Sequence, residues 1–177
     1  MSHPTLARAS RVAVAATLGL LTAGALADAR GPDRIEARLR GFQEVPAVSS
    51  VASGRFRAHV DKASLSLHYE LSYAGLEGEV RMAHIHLGQH GVNGGIMVWL
   101  CQTSANPSPV ASTPQCPQSG SVSGVVTAGD VVGPAGQGVA PAEFGEMLAA
   151  IGGGVAYANV HSSKFPGGEI RGQLRDD

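Results

Sequence analysis

Polar and apolar residues alternate along much of this chain with a period of two, the spacing of a β-strand with one buried face. Ile35, Ala37 and Leu39 alternate with Glu36, Arg38 and Arg40, and Gly41 to Pro46 then breaks the pattern. Phe56, Ala58 and Val60 share a second face. After the turn Asp61-Lys62-Ala63, Leu65, Leu67, Tyr69, Leu71 and Tyr73 alternate strictly with polar residues. These last two stretches predict an antiparallel hairpin with His59 and His68 on its solvent side. Val80 to Gly88 reads as a strand running into a turn at Asn93-Gly94-Gly95. Ile96 to Cys101, which holds Trp99, is almost continuously apolar. That suits an inner strand, or one whose outer face is covered. Ser119–Thr127 is a weaker strand, and Val155–His161 and Glu169–Leu174 close the series around the turn Lys164–Gly168. Pro141–Ile151 is the predicted helix: Pro141 and Glu143 open it, Phe144, Met147, Leu148 and Ile151 form its apolar stripe, and Gly152 stops it. About eight short strands and one short helix in a connection predict an all-β fold, an antiparallel β-sandwich or a flattened barrel.

The opening of the chain does not fit that pattern. Arg8 and Arg11 precede an apolar run from Val12 to Leu26, and Ala25-Leu26-Ala27 is a small-x-small cleavage site. Residues 1–27 therefore read as a secretory signal peptide, cleaved after Ala27. The run of about 15 residues is shorter than the roughly 20 that a spanning helix needs. A polar leader, 28–34, and one domain, 35–175, would remain, either secreted or periplasmic. Loss of Arg8 and Arg11 takes the net charge from −1 to about −3. No basic patch with interleaved aromatics is present, so no nucleic-acid partner is expected. An exported chain with two cysteines points to a disulfide between Cys101 and Cys116; free thiols or metal ligation are the alternatives.

The candidate chemistry is in the histidines. His84 and His86 lie two apart on one strand face, with about 7 Å between their Cα atoms. His161 ends another strand. If those strands are neighbours, three imidazoles meet, a set that suits copper or zinc with a position left open. His90, in the turn, is a further candidate. The competing reading is a buried polar network with Asn159, Glu169 and Arg171 as members, and Glu44 can also approach the histidines. No nucleophile elbow, paired carboxylates or phosphate loop is recognisable, which favours a non-catalytic binding module. The Pro/Ser loop Gln102–Gln115 and the Gly-rich segment Ala128–Ala140 are then the surfaces for an unidentified protein or glycan partner.

Five motifs, in order, carry a family resemblance. They are Gly41-Phe42-Gln43-Glu44-Val45-Pro46; Ala83-His84-Ile85-His86-Leu87-Gly88; Gly91-Val92-Asn93-Gly94; Tyr157-Ala158-Asn159-Val160-His161; and Pro166-Gly167-Gly168-Glu169-Ile170-Arg171-Gly172-Gln173-Leu174. Together they resemble the CHRD domain, first described in chordin and found in many bacterial exported proteins. The resemblance spans about residues 35 to 175. It implies a single exported domain of that family and no particular activity. The cysteine-rich modules of chordin have no counterpart here, so its growth-factor contacts are not implied. His-x-His with a distant His is also similar to the copper site of copper–zinc superoxide dismutases. A metal-dependent enzyme is therefore the alternative, although that family's bridging His and long zinc loop have no recognisable counterpart.

Overall fold

In the computed structural model, which describes Met1 and residues 33–176, the alternating stretches pair into one antiparallel sheet. The proposed signal peptide and most of the leader lie outside the described residues. Nine strands are present among the described residues: β1 (Arg34–Arg40), β2 (Ser53–Asp61), β3 (Ser66–Ala74), β4 (Val80–Leu87), β5 (Ile96–Cys101), β6 (Gly120–Val126), β7 (Ala156–Ser162), β8 (Ile170–Gln173) and β9 (Arg175–Asp176). Their order is β5-β4-β7-β8-β1-β2-β3-β6, with β9 paired to β1. The sheet curls into a nearly closed barrel. Its two ends approach where the Tyr69 hydroxyl on β3 donates to the Leu100 carbonyl on β5, at 2.5 Å.

The inward face of each strand supplies the core. Ile35 and Leu39 of β1, Phe56 of β2, Leu67 and Leu71 of β3, Ile85 of β4, Met97 and Leu100 of β5, Val160 of β7 and Ile170 of β8 are fully buried. Each such side chain contributes about 1.5–3 kcal/mol by leaving water. The helix α1 (Phe144–Gly152) adds Phe144, Met147, Ala150 and Ile151 to the same cluster.

Three boundaries differ from the sequence reading, each for a local reason. The helix begins at Phe144, because Ala142 has φ +69° and its N–H is taken by Val131 O at 2.9 Å. Pro141 and Glu143 thus precede the helix. Leu65 belongs to the hairpin turn, with φ +50°, and is exposed instead of opening the inward row of β3. The last predicted strand divides at Leu174 into β8 and β9, since the Leu174 N–H turns to Ala156 O at 2.9 Å.

β5 stands at one end of the strand order, so it is not an inner strand. Its outer edge is nonetheless covered. Val131 bridges to Val98, and the Val132 N–H bonds Met97 O at 2.9 Å. Val131 and Val139 are buried there, so part of the Gly-rich segment Ala128–Ala140 closes a sheet edge that would otherwise be open to pairing. Cys101 and Cys116 form the disulfide, which closes the Pro/Ser loop beyond β5. Among the described residues, no helix is long and apolar enough to cross a membrane.

Candidate metal centre

β4 and β7 are direct antiparallel neighbours, with His84 opposite Asn159, His86 opposite Tyr157 and Met82 opposite His161. Residues opposite one another share a sheet face. While Ala83, Ile85, Ala158 and Val160 point into the barrel, His84, His86, Tyr157, Asn159 and His161 stand on its outer side. The outer side is usually wet in an antiparallel sheet. Here it is roofed by loops, and the three imidazoles are 0%, 7% and 6% exposed.

The rings are close. His84 and His161 have centroids 5.0 Å apart, His84 and His86 5.3 Å, and His86 and His161 6.2 Å. One ring nitrogen from each lies within 4.8 Å of the other two. Trp99, opposite His84 on β5, meets its ring edge to face at 4.3 Å. Tyr157 stacks flat on His86 at 4.8 Å.

Hydrogen bonds assign the tautomers. His86 Nδ1 lies 2.9 Å from Gly94 O, and His161 Nδ1 lies 2.9 Å from Pro166 O. A carbonyl only accepts, so both Nδ1 atoms carry hydrogen and both Nε2 atoms carry a lone pair. His84 Nδ1 is 3.1 Å from His161 Nε2 and therefore donates to it. His86 Nε2 and His84 Nε2 are buried without a hydrogen-bond partner among the described residues. Burial also keeps the rings neutral. It pushes His84 down to about 2, with the neighbouring His161 and His86 adding to the effect. Burial likewise pushes His86 down to about 4, against the opposing bond from Gly94 and with help from His161 and Arg171. His161 is lowered by burial as well. Neutral imidazole is the form that ligates metal.

The roof is held by polar residues. Asn159 Nδ2 donates to Glu44 Oε1 at 2.6 Å. Burial raises the Glu44 carboxyl to about 7, although the Asn159 bond and the Arg171 charge oppose the rise. Arg171, 1% exposed, donates to Gln89 O at 3.1 Å, Val92 O at 2.8 Å and Asn93 Oδ1 at 3.2 Å. Its guanidinium also sits 3.4 Å over the Tyr157 ring. Arg171 thereby staples the turn whose Gly94 carbonyl orients His86. That turn is tight: a Cβ on Gly94 would fall 1.6 Å from Leu87 O. At Gly168 a Cβ would fall 2.3 Å from Asn159 Nδ2 and 2.6 Å from Glu44 Oε1, so only glycine admits the Glu44–Asn159 pair.

The structure thus brings His84, His86 and His161 together, with Asn159 and Arg171 around them. Glu169 turns elsewhere and accepts from Ser50 Oγ at 2.7 Å and Glu77 N at 2.8 Å. His90 is exposed in the turn and outside the cluster. Trp99, Asn93, Gly94 and Pro166 are members that sequence reasoning passed over. Tyr157 was accessible by phase, being two and four residues from Asn159 and His161. The carbonyl acceptors carry no side-chain signal.

A family model for the CHRD domain matches residues 35–174. The chain belongs to the CHRD domain family. No match was found among curated proteins or solved structures. The match contains every residue of the histidine cluster and of its roof, so the centre is built entirely within the CHRD domain.

Proposed function

We propose that this CHRD protein is an exported, non-catalytic metal-binding module that holds copper or zinc with His84, His86 and His161. One observation carries the reading. His86 and His161 each donate Nδ1–H to a backbone carbonyl, which leaves the Nε2 lone pair to accept, and His86 Nε2 has no hydrogen-bond partner among the described residues. Imidazoles that ligate metals are commonly oriented in this way by a second hydrogen bond. A buried nitrogen lone pair without a donor costs about 1–3 kcal/mol, which an ion would offset. The ligand atoms that fit these bonds are His86 Nε2, His161 Nε2 and His84 Nδ1. The ion would replace the His84–His161 hydrogen bond, with the His84 proton moved from Nδ1 to Nε2.

Export rests on the basic and apolar N-terminal run and its Ala25-Leu26-Ala27 site, and the disulfide suits an oxidising compartment. Recovery from the periplasm or medium with Asp28 as the first residue tests it. The His84–His161 hydrogen bond favours a second reading, in which the histidines form a purely structural network. Elemental analysis of untagged protein, before and after loading with copper and zinc, separates the two readings. Metal near one equivalent, lost in a folded His84→Ala/His86→Ala variant, supports the metal centre. A folded wild-type protein that retains no metal leaves the structural network.

A further inference from the structure

Resting on that metal reading, we infer that the His84–His86–His161 centre takes cuprous copper, a monovalent d10 cation, in preference to the divalent ions. The argument is one of charge and of donor number. The cluster consists of three neutral nitrogens, and among the described residues no Cys, Asp, Glu or fourth His joins it. Zinc is almost always four-coordinate and in a three-histidine site fills its last position with water or substrate. Cuprous copper is satisfied by three nitrogen donors. This site is roofed and nearly inaccessible, and Trp99 closes one side of His84 at 4.3 Å.

Charge acts in the same direction. Arg171 is buried and, among the described residues, makes no ion pair; its bonds go to Gln89 O, Val92 O and Asn93 Oδ1. It reaches the cluster through a stack, guanidinium on Tyr157 at 3.4 Å and Tyr157 on His86 at 4.8 Å. An ion at the histidines therefore sits near a buried positive charge to which, among the described residues, no carboxylate is bonded. Repulsion grows with the ion's charge, and the cost of leaving water grows with its square. Both terms penalise a dication more than a monocation. Glu44 is the carboxyl that acts on Arg171 through space, and it accepts from Asn159.

The test is a pair of competition titrations on untagged protein under anaerobic conditions. Cuprous ion is titrated against bicinchoninate, with ascorbate as the reductant so that the disulfide stays intact. Zinc(II) is titrated against a chromophoric chelator. A His59→Ala/His68→Ala background removes the surface imidazole pair from the measurement. One cuprous ion per chain, at an affinity about a hundredfold or more above that for zinc, is the expected result. Zinc bound as tightly as copper overturns the inference and leaves the metal reading standing. If a folded protein binds neither ion, the metal reading fails and this inference fails with it. In Arg171→Met, whatever the loosened turn costs both ions cancels in the ratio of affinities. That ratio should fall toward zinc by about tenfold, as expected for loss of one nearby positive charge. An unchanged ratio overturns the charge argument.

Discussion

Two groups of imidazoles face each other across antiparallel ladders in this molecule, at almost the same spacing. His59 and His68 are paired residues of β2 and β3, with rings stacked 4.8 Å apart. His84 and His161 stand on β4 and β7 with rings 5.0 Å apart. Both groups lie on the outer side of the barrel. The difference is what lies above them. His59 is open to water, and His68 shares a hydrogen bond with Ser66 Oγ at 3.2 Å. The other group lies under Glu44, the Gln89–Gly94 turn and Pro166. Strand spacing alone therefore does not set the two groups apart. The roof does, by excluding water, keeping the rings neutral and assigning which nitrogen carries the proton.

The strongest break in this comparison is to lift the roof. Gly94→Ala would force a Cβ into the space of Leu87 O, so the turn must move and release His86 Nδ1. We expect a stability loss of about 3 kcal/mol or more, together with loss of bound metal. Denaturant unfolding and elemental analysis read both. Next comes Arg171→Met, which removes three hydrogen bonds from the same turn and should cost about 2–4 kcal/mol. If that variant unfolds like the wild type, Arg171 does not hold the roof.

The two groups should also separate by pH in the metal-free protein. An imidazole in the unfolded chain protonates near 6.5, whereas folded His86 resists to about 4 and His84 to about 2. Below about pH 6.5 the unfolded state therefore takes up protons that the folded state refuses, and stability falls as pH falls. Each buried imidazole contributes up to about 1.4 kcal/mol per pH unit until its folded value is reached. Above pH 6.5 this contribution is flat. Glu44 acts in the opposite sense. Its folded value near 7 lies above its ordinary value of 4.5, so between those limits the folded state holds the extra proton. Stability from that group declines as pH rises toward 7. Two imidazoles, with His161 lowered in the same direction, outweigh one carboxyl, so the net effect between pH 4.5 and 6.5 is destabilisation on acidification. Urea unfolding across that range measures the slope; His86→Ala should flatten it by about one proton's worth, and a slope unchanged in that variant would falsify the assignment.

The lower part of this architecture is legible in the sequence and the upper part is not. The period of two places Ile35, Ala37 and Leu39 inward, and it places His84 and His86 on one face, because a strand's geometry is local. It does not bring His161 to them. That requires β7 to insert beside β4 in the order β5-β4-β7-β8, a choice made by the whole barrel. The roof is harder still. Glu44 reaches Asn159 across 115 residues, and two of the bonds that assign the tautomers end on backbone carbonyls, which every residue carries. The helix start was misplaced for a related reason. Pro141 has the residue type of a first helical position, but the left-handed Ala142 delays the helix, and it is tied to Val131, eleven positions earlier.

The smallest expected effect makes the comparison sharpest. His59→Ala/His68→Ala removes two imidazoles at nearly the same separation as the buried pair. Among the described residues its stacked rings have no roof and make no hydrogen bond other than the shared contact with Ser66. Surface substitutions away from caps and networks usually stay within about 0.5 kcal/mol. The double variant should therefore keep its unfolding midpoint, its acid slope and its metal content. A loss of metal in it would move the binding site to the hairpin. A loss of more than about 1 kcal/mol would mean that the stacked pair stabilises the β2–β3 ladder as cross-strand aromatic pairs do, at the upper end of their usual range. Either result would show that spacing along the ladder, and not the cover above it, decides what a histidine pair does in this fold.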